Sequence, residues 1–417
     1  MASNGHHNLG DPIRYLAWSA SATLAAALVA CGGSSGGISG EAAPEAPSDS
    51  TLVDEGRQTF RYETFGDEAK WTDKLRMHEA VTTTVTPALA LDVGLKVDAD
   101  ALPDSLKQAL AAGKVPLDDP QTTLALLQLD AVVGLKGRVE KEGTVLKLRS
   151  LGVTCALCHS TVDNSFAPGI GKRLDGWANR DLDVGKIVSL SPALDADTQA
   201  VFASWGRGKY DARFNIDGKS KPAVIPPAYG LAGIHKITFT GDGDDIAYWN
   251  RYVAVTQMGG LGSFFDPRMP AATTINSTAD LVSPKLAGLQ AYQLSLAAPA
   301  APAGSFDAIA AGRGKLLFEG KAQCIACHSG SLFTDANARL HGPDASMAEP
   351  ETPSHAGRSA TRMYRTTPLK GAWQHAPYFH DGSAATLEDV GAAYNARRNL
   401  GLTPSDIKDL AQYLKSL

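Results

Sequence analysis

With 417 residues, a net charge of −5 and a pI near 6.1, the chain is long enough to bury more than one core. Its mildly acidic balance excludes a basic nucleic-acid footprint. The one long apolar run, near the N-terminus, is too short for a spanning helix.

The first predicted element is a processing signal. Arg14 precedes an apolar run from Leu16 to Val29, which leads into Leu28-Val29-Ala30-Cys31. Residues 1–30 are similar to a bacterial lipoprotein signal peptide, with Cys31 as the lipidated residue. Gly32, not Asp, follows the cysteine, a pattern that sorts such lipoproteins to the outer membrane. The expected location is the periplasmic side, with a lipid anchor as the only membrane attachment. The Gly/Ser and Ala/Pro composition of residues 31–51 predicts a flexible tether, with order from Leu52.

The N-terminal domain is expected over residues 52–296. Helices are predicted from Phe65 to Ala80, Ser105 to Ala112 and Thr122 to Leu129, and a small hairpin over Val139 to Leu148. Next comes Cys155-Ala-Leu-Cys158-His159. Residues 160–240 are rich in Gly, Pro and Asp. Asp244 to Met258 reads as a helix with Ile246, Trp249 and Val253 on one face. A linker, Ala297 to Ala303, precedes a C-terminal domain over 304–417. There Ser305 is the expected N-cap of a helix whose face carries Phe306, Ile309, Leu316 and Leu317. Cys324-Ile-Ala-Cys327-His328 follows. The last helix starts at Thr403-Pro404 and lines up Ile407, Leu410, Leu414 and Leu417.

Cys-x-x-Cys-His is the attachment pattern of c-type haem: two thiols bond to the haem and the histidine ligates the iron. Two copies imply two covalently bound haem c groups, held by Cys155, Cys158, Cys324 and Cys327 and ligated by His159 and His328. The five cysteines divide as four for haem and one for lipid, leaving none for a disulfide. A zinc site needs four ligands per metal, which neither motif supplies. The fold class read from these elements is mainly α, two cytochrome c-like haem domains with little β.

A second axial ligand would make an iron an electron carrier, whereas an open position admits peroxide or oxygen. The C-terminal candidates are His341, His355, His375, His380, Met347, Met363 and Tyr394, and the N-terminal ones His78, His235, Met258 and Met269. The stretch Thr367 to Asp389, with Pro377-Tyr-Phe-His-Asp-Gly382 at its centre, resembles the C-terminal block of the bacterial di-haem cytochrome c peroxidases. MauG and the rubber oxygenases belong to the same superfamily. The resemblance covers about residues 305–417. It implies a ligand of the C-terminal haem fourteen residues past the histidine, which here is Tyr394, as in MauG; His380 competes on chemical grounds.

Those peroxidases use a glutamate beside an open N-terminal haem, and this chain has none between Glu142 and Glu319. Asp242, Asp244, Asp245, Asp266 or Gln257 would have to substitute. The expected distal pocket is aromatic, with Trp249, Gln257, Phe264 and Phe265 as candidates among neighbours Tyr248 and Tyr252. That resembles the rubber oxygenases. The superfamily also implies a calcium ion near the Pro-Tyr-Phe-His block. The resulting expectation is an exported di-haem oxidoreductase using peroxide, oxygen or an apolar substrate, fed by a redox partner protein or small electron donor. The rival is a pure electron-transfer cytochrome.

Overall fold

Asp49 starts the first helix, Ser50–Tyr62, by accepting from the Thr51 and Leu52 amides at 3.1 and 3.2 Å. The computed structural model describes residues 49–343 and 355–417; the signal segment 1–30, Cys31, the tether up to residue 48 and Met347 lie outside them. The described chain is mainly helical, and its strands form two-stranded sheets only. No helix among the described residues is long and apolar enough to cross a membrane.

Helix Ser50–Tyr62 packs on Leu286–Ser295 at a pair of glycines. A side chain at Gly56 would collide with the Gly288 carbonyl, so the two backbones approach closely only because both positions lack a Cβ. Phe60 then meets Tyr292 edge to face at 5.5 Å. Helices Asp104–Ala111 and Pro120–Gln128 fall where the composition predicts them, the second capped by Asp119 with proline at its first turn. The predicted hairpin is longer than its weak alternation suggested. Leu135–Glu142 pairs antiparallel with Val145–Val153, turning at Gly143, which takes a positive φ. Its second strand delivers the chain directly to Thr154 and Cys155.

Two predicted helices are not continuous. Residues 65–80 hold a π-helical turn at Ala69–Lys74 and a separate α-helix at Met77–Thr83, split at Arg76 in the left-handed region. The second is α-helical at Ile246–Tyr252 and π-helical at Val253–Met258. These two π turns touch. Trp71 Nε1 donates to the Met258 carbonyl at 3.0 Å, and Lys70 donates to the Gln257 carbonyl. Carbonyls at the end of a helix lack intrahelical donors, and side chains from the facing turn supply them here.

The C-terminal part has its own apolar cluster around Phe318, Leu402, Leu410 and Tyr413. The larger cluster, from Phe60 to Tyr292, surrounds the first motif. Helices Ala308–Glu319 and Pro404–Ser416 cross where Gly314 lets the Asp409 carbonyl approach. Arg313 grips the Asp409 carboxylate with two bonds of 2.7 and 2.6 Å. The N-cap of the first is Asp307, not Ser305, since its carboxylate accepts from the Ile309 and Ala310 amides. The expected apolar face is also rotated. Ile309 and Leu316 are 78% and 72% exposed, whereas Ala310, Ala311, Gly314 and Phe318 are buried. Small residues make the close crossing, so the larger aliphatic ones are left outside. The Ala/Pro stretch 297–303 is pinned, as Trp373 Nε1 donates to the Pro299 carbonyl at 3.1 Å.

Candidate functional site

A cavity of about 290 Å³ is built around the second motif. Cys324, Cys327 and His328 line it together with Tyr364, Pro377, Phe379, His380 and Tyr394, and with Leu387, Leu400, Leu410 and Leu414. The helix Ala308–Glu319 leads into the motif, and Leu387–Arg398, fixed by a Thr386–Asp389 capping box, carries Tyr394. Distant segments therefore bring His328, His380 and Tyr394 into one apolar chamber. His341 and His375 also line it, but His341 Nε2 is 3.1 Å from the Asp335 carboxylate and His375 Nδ1 lies 2.9 Å from the Gly371 carbonyl. His355 and Met363 do not line it; His355 packs its ring against His380 at 4.8 Å.

His328 and His159 share one local arrangement. The Nδ1 of His328 is 3.2 Å from the Phe333 carbonyl, and that of His159 is 3.1 Å from the Pro226 carbonyl. A ring that donates from Nδ1 to a carbonyl presents Nε2 unprotonated, the tautomer a metal needs. Burial drives both imidazoles down to about 4, so both stay neutral at physiological pH. Among the described residues the four motif cysteines form no disulfide. Burial pushes Cys155 and Cys158 up to about 12 and Cys324 up to about 11. Burial also raises the Tyr394 phenol well above its usual range.

The donor set, the neutral histidines and the apolar chamber fit a haem at the second motif. Arg180 adds a further sign of fit. It lines the same chamber, and its Nε and Nη1 are buried without a hydrogen-bond partner. A charged group of that kind suits a cofactor that carries carboxylates. Cys327, Asp335 and His341 also hold three ligand atoms within 4.8 Å of one another. A thioether to haem at the Cys327 sulfur would leave that set incomplete.

Around the first motif the structure separates the predicted distal residues. Gln257 is buried and accepts from the Tyr210 hydroxyl at 2.9 Å; Tyr210 in turn lies in the electrostatic neighbourhood of Cys158. Phe264 is core, packed on Tyr252 at 5.1 Å, and Trp249 stacks on the same ring at 4.8 Å. Phe265 is 68% exposed, because its neighbour Phe264 takes the inward direction of the extended backbone. The four substitute aspartates are all engaged elsewhere. Asp242 pairs with Arg213, Asp244 with Lys236 and Asp266 with Arg268, while Asp245 caps the helix at Ile246. Arg268 holds the Asp266 carboxyl down at about 2, too acidic to carry a proton near neutrality.

Sequence reading missed Asp67, Tyr210 and Arg180. Asp67 is fully buried; one oxygen accepts from the Val153 amide at 3.2 Å, the other has no hydrogen-bond partner, and burial pushes the carboxyl up to about 8. Asp67 also acts electrostatically on Cys155, about ninety positions away, so no local pattern could have signalled it.

A protein-family model described as RoxA-like, cytochrome c-like, matches residues 363–399. The cytochrome-c peroxidase IdrP1 of Denitromonas iodatirespirans is 31% identical over an alignment covering 25% of this chain and 39% of that protein. The alignment thus spans about two fifths of that relative's length. Two solved structures are similar at low superposition quality. Hydrazine synthase of Kuenenia stuttgartiensis has 20% identity and a TM-score of 0.32, with 51% of this chain and 74% of that one covered. A MauG-like protein associated with microbial copper homeostasis has 22% identity and a TM-score of 0.24, with 36% and 57% covered. These superpositions are too loose to carry an argument. The family match falls on the segment that supplies His380 and Tyr394 to the chamber, so the chain is similar to RoxA-like cytochrome c domains there and, over part of its length, to a cytochrome-c peroxidase.

Proposed function

We propose that the chain is an exported di-haem c-type redox enzyme that uses peroxide or oxygen. The observation that carries this reading is the chamber that sets His380 and Tyr394 with Cys324, Cys327 and His328. Haem, when bound, supplies one-electron iron chemistry. The chain's own residues do the rest. His328 and His159 would hold the irons through Nε2, each ring oriented by a backbone carbonyl at Nδ1. Tyr394 would hold the iron of a haem at the C-terminal site together with His328, with His380 as its competitor. A buried phenol holds its proton tightly, and only an adjacent metal charge would release it.

The N-terminal site is the one where substrate reacts. Tyr210 and Gln257 are the polar groups there, joined by a 2.9 Å hydrogen bond. Haem held by His328 at the C-terminal motif and by His159 at the N-terminal motif would supply the one-electron chemistry that links an external donor to the substrate. A lipid on Cys31 holds the protein at the periplasmic face of the outer membrane.

Electron paramagnetic resonance of the ferric, matured protein tests the proposal. One high-spin and one low-spin haem are expected. Two low-spin haems would replace the enzyme by an electron carrier.

A further inference from the structure

The two haem motifs meet across a short stretch of chain. His159 Nδ1 lies 3.1 Å from the carbonyl of Pro226, and Pro226 itself lines the chamber of the second motif. Beside this contact run residues 176–180. The Gly176 amide donates to the His159 carbonyl at 2.8 Å, and the Asn179 amide to the Cys158 carbonyl at 2.9 Å. The next residue, Arg180, therefore has its backbone fixed to the first motif, while its side chain reaches the wall of the second chamber.

Among the described residues no carboxylate forms an ion pair with Arg180. Its electrostatic neighbours include two neutral phenols, Tyr229 and Tyr378. Nε and Nη1 are buried without an acceptor. A guanidinium cannot shed its proton to escape this, so a full positive charge sits beside both motifs with no carboxylate partner among the described residues.

From this geometry we infer that Arg180 is a cation shared by both haem sites, that its counter-charge is a haem carboxylate, and that its field raises the reduction potential of both irons. Reduction removes one positive charge from an iron, so a fixed cation nearby favours the reduced form. The effect is large where water is scarce. Burial lowers the Arg180 pKa to about 10, which still leaves it charged at neutral pH.

The inference rests on the di-haem reading, and the test keeps the two apart. Haem is first counted in the full, matured wild-type protein from its pyridine haemochrome spectrum. Fewer than two covalent haems defeats the di-haem reading before any potential is measured. Spectroelectrochemical titration then compares wild type with Arg180→Met and Arg180→Lys. Arg180→Met should keep two haems, with both titrating at lower potential, and Arg180→Lys should lie close to wild type. Unchanged potentials in Arg180→Met overturn the inference, and a fall in one haem alone overturns the sharing. Should neither variant accumulate with haem, His375→Asp retains Arg180 and gives it a protein carboxylate. Lowered potentials in that variant support the inference, and wild-type potentials overturn it.

Discussion

Asp67 is a carboxylic acid held at the edge of ionisation by its surroundings. Burial raises it to about 8, outweighing the Val153 amide and the nearby Lys70 charge, while Glu68 adds to the rise. A group whose folded pKa exceeds its unfolded value loses stability as pH rises between the two. The buried His159, His328 and His375, at about 4, act in the opposite sense, but only below their unfolded pKa of about 6.5. Lys70, lowered to about 8, contributes above that pH. From about pH 6.5 to about pH 8 the Asp67 effect therefore stands alone among these groups, at no more than about 1.4 kcal/mol per pH unit. Asp67→Asn should flatten the fall in Tm over that window; parallel slopes for variant and wild type would remove Asp67 as its source. At the chamber, Tyr394→Phe should turn the low-spin C-terminal haem high-spin, while His380→Ala should shift its spectrum and keep it low-spin. The reverse pattern makes His380 the ligand, and two unchanged spectra would remove both from the site.

At the scale of elements, helix crossings are set by what is missing from the side chains. Gly314 admits the Asp409 carbonyl, and Tyr413 packs behind it against Phe318 at 5.2 Å. Gly314→Val should force these helices apart and cost about 1–3 kcal/mol or more. Thermal unfolding of the matured protein, with the amount of haem on Cys324 and Cys327, measures this; wild-type Tm and haem content would mean that the crossing does not set the chamber. The same crossing explains why Ile309 and Leu316 point outward despite their helical spacing. Periodicity identified a helix there, but not the side on which its neighbour would pack. The π turns at Ala69–Lys74 and Val253–Met258 show the same limit, since the extra residue per turn is stabilised by Lys70 and Trp71 reaching across to carbonyls of the facing turn.

For the whole molecule, the expected route begins with export and ends at a membrane-tethered redox site. Cys31→Ser should move the protein from the membrane to the soluble fraction, or leave an uncleaved precursor. Partitioning and processing identical to wild type would exclude the lipid anchor. Within residues 49–343 and 355–417, the larger apolar cluster surrounds the first motif and the smaller one backs the second. The His159–Pro226 contact and the Arg180 side chain join the two sites more closely than the separation of the motifs suggests.

The sequence by itself determined what depends on neighbouring residues. The two Cys-x-x-Cys-His motifs, the capped terminal helix with Pro404 at its first turn and the hairpin near Gly143 all rest on local spacing and backbone chemistry. Tyr394 and His380 were legible through a resemblance to a known block, and the fold places both in one chamber. Only the tertiary structure decided which polar groups are buried and what they face. Asp67 beside Val153, Tyr210 on Gln257 and Arg180, which has no carboxylate partner among the described residues, acquire their character from segments far away in the chain. Phe264 and Phe265, identical and adjacent, went to opposite environments because a strand-like backbone alternates its side chains, and packing alone chose which one turned inward.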